Sequence, residues 1–88
     1  PRTLTGLQTR LAAYFKVSAH ELASSSLRRP VLAARAVFCD LAVARYGISP
    51  SVIARHLSVS HTTIARALAR APLVYAEHAC TREDLLVE

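Results

Sequence analysis

The stretch Pro50-Ser-Val-Ile-Ala-Arg-His-Leu-Ser-Val-Ser-His-Thr-Thr-Ile-Ala-Arg-Ala-Leu-Ala-Arg70 decides how this chain folds. Ile53 and Leu57 stand one helical turn apart, so both face inward. Ala54 is small, as the position where two helices cross most closely requires. Ser49 can cap the first helix and Pro50 can take its first position, because that proline's missing N–H has no partner to lose there. Ser58 occupies a turn position more often held by glycine. Val59 plugs the turn, Ser60 caps a second helix over about 61–70, and Ile64 with either Ala67 or Leu68 buries it. The agreement in register of the small residue, the turn and the buried positions predicts a helix-turn-helix over about 50–70.

Working outward, the N-terminal side reads as helix throughout. Leu4, Leu7, Leu11 and Phe15, with Tyr14 beside them, form one apolar stripe on a helix over about 4–16. Ser18-Ala19-His20-Glu21 is a capping box and opens a short helix over about 19–24. Ser24, Ser25 and Ser26 compete with helix by bonding their own backbone, so residues 24–30 read as a loop. Pro30 suits the start of the longest helix, Val31 to Tyr46. Its mostly apolar face runs through Val31, Ala34, Val37, Phe38, Leu41, Ala42 and Arg45, while Arg35 starts a more exposed side. Gly47 is a C-terminal stop. Beyond the helix-turn-helix, Pro72 ends or restarts the helix, residues 73–79 are helical, and Thr81 caps a last turn over 82–87. The expectation is one all-α domain over 1–88 with five or six helices, residues 71–88 forming a helical acidic tail.

Composition agrees. The 88 residues are 52% apolar with only 2 glycines and 4 prolines, a mix that builds a packed core from helices rather than a many-turned β-sandwich. No apolar run approaches the roughly 18 residues that span a bilayer, and no charged segment leads into an apolar one as in a secretory signal. Cys39 and Cys80 are too few for a disulfide scaffold, so a reduced cytoplasmic protein is the default.

Charge carries more information. The net charge is +5, but residues 1–76 hold ten cations against Glu21 and Asp40, whereas residues 77–88 hold Arg82 against Glu77, Glu83, Asp84 and Glu88. Leu41 to Ala76 contains four arginines and no acid. A basic body suits a polyanion, although a merely solvated arginine-rich surface gives the same count. The outward face of the second helix of the motif offers Ser60, His61, Thr62, Arg66 and Arg70. A polar first turn followed by arginine is what a helix needs to enter a major groove and read base edges.

The order of capping box Val17-Ser18-Ala19-His20-Glu21-Leu22, basic serine/arginine loop, long alanine-rich helix and helix-turn-helix with His61-Thr62-Thr63-Ile64 resembles the C-terminal DNA-binding domain of the bacterial replication initiator DnaA. Related domains are appended to REP-associated tyrosine transposases, which the chain resembles too. The resemblance covers about residues 4–70 and implies a Trp-repressor-like fold that binds double-stranded DNA as a monomer, with the bacterial nucleoid as its location. It implies base contacts from His61 and Thr62, with Thr63 nearby, to which the outward face of the same helix adds Ser60 and Arg66 as base-contact candidates. It also implies backbone or minor-groove contacts from Arg28 and Arg29 in the basic loop, from Arg35 early in the long helix, and from Ser49 and Ser51 at the start of the motif's first helix. Strict register sets Leu27 at the loop position that carries a minor-groove arginine in the family. Ser60 stands where the family has Asp, and the turn is one residue shorter and lacks the family's glycine pair. Both departures fit a diverged relative better than an initiator.

Other chemistry is poorly supplied. His56 with His61, or His78 with Cys80, lack the spacing of compact zinc sites. There is no Gly-rich phosphate loop, paired carboxylate or nucleophile beside a base, so neither cofactor, small-molecule substrate nor enzymatic activity is expected of this chain. The start at Pro1 without Met reads as a domain cut from a longer parent or as a processed start, and a parent would supply any catalysis. The competing function is a helical protein-interaction domain that docks through its Leu/Ala-rich surface.

Overall fold

A computed structural model describes residues 2–24 and 26–78. Among them the chain is all-α, with α1 Arg2–Phe15, α2 Ala19–Leu22, α3 Arg29–Ala44, α4 Pro50–Leu57 and α5 His61–Glu77. The last predicted turn, 82–87, and all of the acidic tail beyond His78 lie outside the described residues.

α3 is the central element. It packs along α5 most extensively, and α1, α2 and α4 also lie against it. Val31, Ala34, Ala36, Val37, Phe38, Cys39, Leu41 and Ala42 are all buried, so this helix is enclosed on more than one face. Arg45 lies just past its end and is exposed, off the apolar face assigned to it. Leu4, Leu7, Leu11 and Phe15 bury the expected stripe of α1. Ile53, Ala54 and Leu57 do the same for α4, as do Ile64 and Ala67 for α5, with Leu68 only half-buried.

The helix starts follow the cap chemistry. Ser18 Oγ accepts from Glu21 N–H at 3.1 Å while Glu21 Oε1 accepts from Ser18 N–H at 3.4 Å. Ser49 and Ser60 accept from Val52 N–H and Thr63 N–H at 3.3 and 3.2 Å. The ends of α1 and α4 share one device. Lys16 and Ser58 adopt the left-handed conformation, with φ of 58° and 57°. The next residue then bonds back across the turn, Val17 N–H to Ala12 at 2.9 Å and Val59 N–H to Ala54 at 3.0 Å. Gly47, with φ of 65°, turns the chain out of α3.

Pro72 departs from expectation. It neither ends nor restarts α5, which runs unbroken through it to Glu77. A proline inside a helix removes one ladder bond and crowds the preceding turn. Here Pro72 faces solvent, while Ala71 and Val74 on either side are buried against the core. Tyr75 adds a hydroxyl bond to Asp40 Oδ2 of α3 at 2.6 Å. Packing on both sides of the proline therefore outweighs its local cost.

α4 is also tied to α1. His56 Nε2 lies 2.8 Å from Gln8 Oε1, its ring stacks on Phe38, and Gln8 donates to the Ala19 carbonyl at 2.6 Å. Burial lowers the His56 pKa below the ordinary histidine value. The folded chain therefore favours the neutral ring more than the unfolded chain does. This contribution to stability is complete above about pH 6.5 and is lost as pH falls toward and through the folded-state pKa. Urea midpoints should drop between pH 7.5 and 5, and by less in His56→Gln; an equal drop in both proteins would contradict the assignment.

The left-handed turn gives a second prediction. The Ser58 side chain is exposed, so Ser58→Gly relieves backbone strain without losing packing. Thermal unfolding should show a gain of about 0.5–1 kcal/mol, less than the full left-handed penalty because glycine also loosens the unfolded chain. A loss of stability would show that the turn is not held as described.

Candidate nucleic-acid interface

The helix-turn-helix expected at about 50–70 corresponds to α4, the turn Ser58–Ser60 and α5. Its five base-contact candidates divide into two groups. His61, Thr62 and Arg66 are exposed on the first turns of α5. Ser60 and Thr63 are occupied with each other: Ser60 Oγ takes the Thr63 N–H and sits 3.1 Å from Thr63 Oγ1, and Thr63 is half-buried. Ser60 thus caps the helix start, and His61 and Thr62 are the side chains left exposed there. The first N–H groups of a helix point outward without intrahelical acceptors, and together they favour anionic oxygen.

The start of α4 lies close by. Ser49 spends its hydroxyl on the cap of α4. Ser51 is exposed and shares a shallow depression with Ala54, Arg55, Ser58, Val59 and His61. Arg55 is not among the contacts named from the sequence above. The structure sets this exposed arginine beside His61. The signal was its spacing, four residues after Ser51 on the same helix face.

The loop between α2 and α3 is built around Arg35. This residue was expected to begin an exposed side and to touch the DNA backbone or minor groove. It is instead 3% exposed. Its Nε donates to the Leu22 carbonyl at 3.2 Å. Its Nη2 donates to the carbonyls of Glu21, Ser24 and Ser26 at 3.4, 2.7 and 3.3 Å. A guanidinium offers five donors in a planar fork, which suits a loop whose carbonyls converge. Burial lowers its pKa, and the charge of Arg70 acts in the same direction. Arg35 is therefore a positioning residue for the loop rather than an exposed cation.

Ser24 and Ser26 bond the local backbone as their chemistry predicts, and Ser25 lies outside the described residues. Ser24 Oγ donates to the Glu21 carbonyl at 2.7 Å and accepts from Ser26 N–H at 3.1 Å, and Ser26 Oγ accepts from Arg28 N–H at 3.3 Å. Arg28 forms a two-pronged ion pair with Glu21, both bonds 3.0 Å. An exposed pair of this kind is weak enough for phosphate to displace. Arg29 is exposed at the start of α3 and lines a groove with Arg70, Leu73 and Glu77. A second groove of about 290 Å³ sets Leu27, Leu32 and Arg35 opposite Thr63, Arg66, Ala67 and Arg70. The structure thus gathers two groups, Ser51, Arg55 and His61 in one depression and the loop, Arg66 and Arg70 along the other groove.

Among the described residues, histidine and cysteine do not gather into a group of three or more. His56 is engaged with Gln8 and Phe38, whereas His61 is exposed on another helix. Cys39 is buried, and burial pushes its thiol pKa up to about 12, so it stays protonated and unreactive. Cys80 lies outside the described residues. Among the described residues, no helix is long and apolar enough to cross a membrane. No family model, curated protein or solved structure matches the chain.

Arg35 gives a direct test of the loop. Arg35→Met should lower stability by about 2–3 kcal/mol in chemical denaturation, because it removes charge-assisted bonds to carbonyls that keep no equivalent donor. A change below about 0.5 kcal/mol, the usual size for an exposed surface residue, would contradict the burial described.

Proposed function

We propose that this chain is a sequence-specific double-stranded DNA-binding domain that lays the start of α5 in the major groove. The observation that carries this reading is the exposed pair His61 and Thr62 at a capped helix start, with Arg55 and Ser51 beside it and Arg66 and Arg70 further along the helix. An imidazole can donate to or accept from a base edge, and a threonine methyl can pack on a thymine methyl. Arg29, Arg55 and Arg70 supply the sequence-independent attraction to phosphate, joined by Arg28 once Glu21 yields it. The resemblance to the DnaA C-terminal domain adds its weight to the same reading. It makes the chain the targeting module of an initiator-like protein or transposase, monomeric on DNA in the bacterial nucleoid.

One observation favours a second reading, a protein-docking domain. Leu73 is 58% exposed beside a groove lined by Pro30, Leu32, Ala33 and Val74. Docking there would survive high salt, whereas binding through arginines would not.

Selection from a random duplex pool, followed by salt titration, separates the two. The DNA reading expects an enriched site. It also expects His61→Ala and Thr62→Ala each to cost about 1–3 kcal/mol on that site and to flatten base preference. Arg29→Ala should weaken all sequences alike and reduce the salt slope by about one. Affinity independent of ionic strength would overturn the reading.

A further inference from the structure

We propose that the segment following α5, residues 79–88, turns back into the groove between the start of α3 and the last turns of α5 and covers Arg29 and Arg70. The docking itself does not depend on the DNA-binding reading. Its consequence, that the segment and a phosphate strand exclude each other at those arginines, rests on that reading. The starting observation is the chemistry of the groove. Pro30 of α3 and Leu73 and Val74 of α5 supply apolar surface, and Leu73 is 58% exposed. One exposed leucine is ordinary on a protein surface. This one shares a concave strip with two guanidinium groups, so the occupant that fits is both apolar and acidic.

The segment that follows the described residues has that composition. It reads Arg82-Glu83-Asp84-Leu85-Leu86-Val87 and then Glu88. It also starts in the right place. His78 caps α5, lines the groove and packs edge-on against Phe15 of α1 with ring centroids 5.1 Å apart, so the chain leaves α5 beside the groove. The charges then match in order. Glu77 is the one acid among the groove residues and stands at the end of α5, while Arg70 lies about two turns, or roughly 10 Å, further back along the helix. A chain that reverses after His78 runs antiparallel to α5. It brings Arg82 past Glu77 first, and Glu83 and Asp84 toward the arginines next. Reach is sufficient, because the residues from His78 to Glu83 can extend about 17 Å. Leu85, Leu86 and Val87 then have the apolar side chains of the groove to leave water against.

The test uses the full 88-residue chain. Methyl NMR should show nuclear Overhauser contacts from Leu85 or Leu86 to Leu73 or Val74, and a mixture of labelled and unlabelled chains should show them to be within one molecule. Leu85→Ser combined with Leu86→Ser leaves the net charge unchanged. It should lose those contacts and bind a random-sequence duplex about tenfold more tightly, because a mostly covered site weakens apparent affinity by the fraction left open. Leu85→Met combined with Leu86→Met should keep the wild-type affinity, and circular dichroism checks that both variants retain their helix. Absence of the contacts, contacts to α1 in their place, or contacts only between molecules, which would seat a second copy in the groove, would each overturn the docking. If the contacts are present but the serine variant binds the duplex as the wild type does, the covering of Arg29 and Arg70 is overturned. If neither protein binds the duplex, the DNA reading fails, and the methyl contacts still decide the docking.

Discussion

The guanidinium of Arg35 is the point on which the proposed binding surface depends. It belongs to the central helix, yet it satisfies carbonyls of Glu21, Leu22, Ser24 and Ser26 from the segment before that helix. Burying a cation among neutral oxygens is costly, and the cost is offset only when most of its donors find acceptors. Here several do. These carbonyls converge on one guanidinium, and Leu27 and Arg29 nearby line grooves shared with α5. Without that tie, Arg28 and Arg29 would hang from a serine-rich segment with many conformations, and their ordering would have to come out of binding energy.

The helix-turn-helix rests on a separate constraint. Ser58 turns left-handed, and Val59 bonds back to Ala54, so α5 leaves the turn at a defined angle to α4. Burial of Ile53, Leu57, Ile64 and Ala67 fixes the rotation of both helices about their axes. That rotation is what leaves His61, Thr62 and Arg66 on the outside. Core and exposed face are therefore set by one pattern: the residues that bury α5 decide which others face outward.

Much of this was legible in the sequence because it is local. The cap serines Ser18, Ser49 and Ser60 act within three residues of themselves, and the stripe of Leu4, Leu7, Leu11 and Phe15 needs only helical spacing. What was not legible depends on partners far along the chain. Arg35 stands one turn from Val31 and from Phe38, on the buried side of α3, but its residue type argued for exposure. The carbonyls that reverse that argument belong to residues 9 to 14 positions away. Pro72 argued for a break, although the spacing of Ile64, Ala67, Ala71 and Val74 carries one buried stripe straight past it. In both places periodicity was the better guide than the preference of a single residue.

The most direct measurement of the central claim is amide and arginine side-chain NMR of the labelled chain during titration with a duplex of its selected site. The account predicts shifts and broadening concentrated at 26–29, at Ser51 and Arg55, and at His61, Thr62, Arg66 and Arg70, with the amides of the buried part of α3 largely unmoved. Shifts confined to α1, or no shifts at all at stoichiometric duplex, would contradict it.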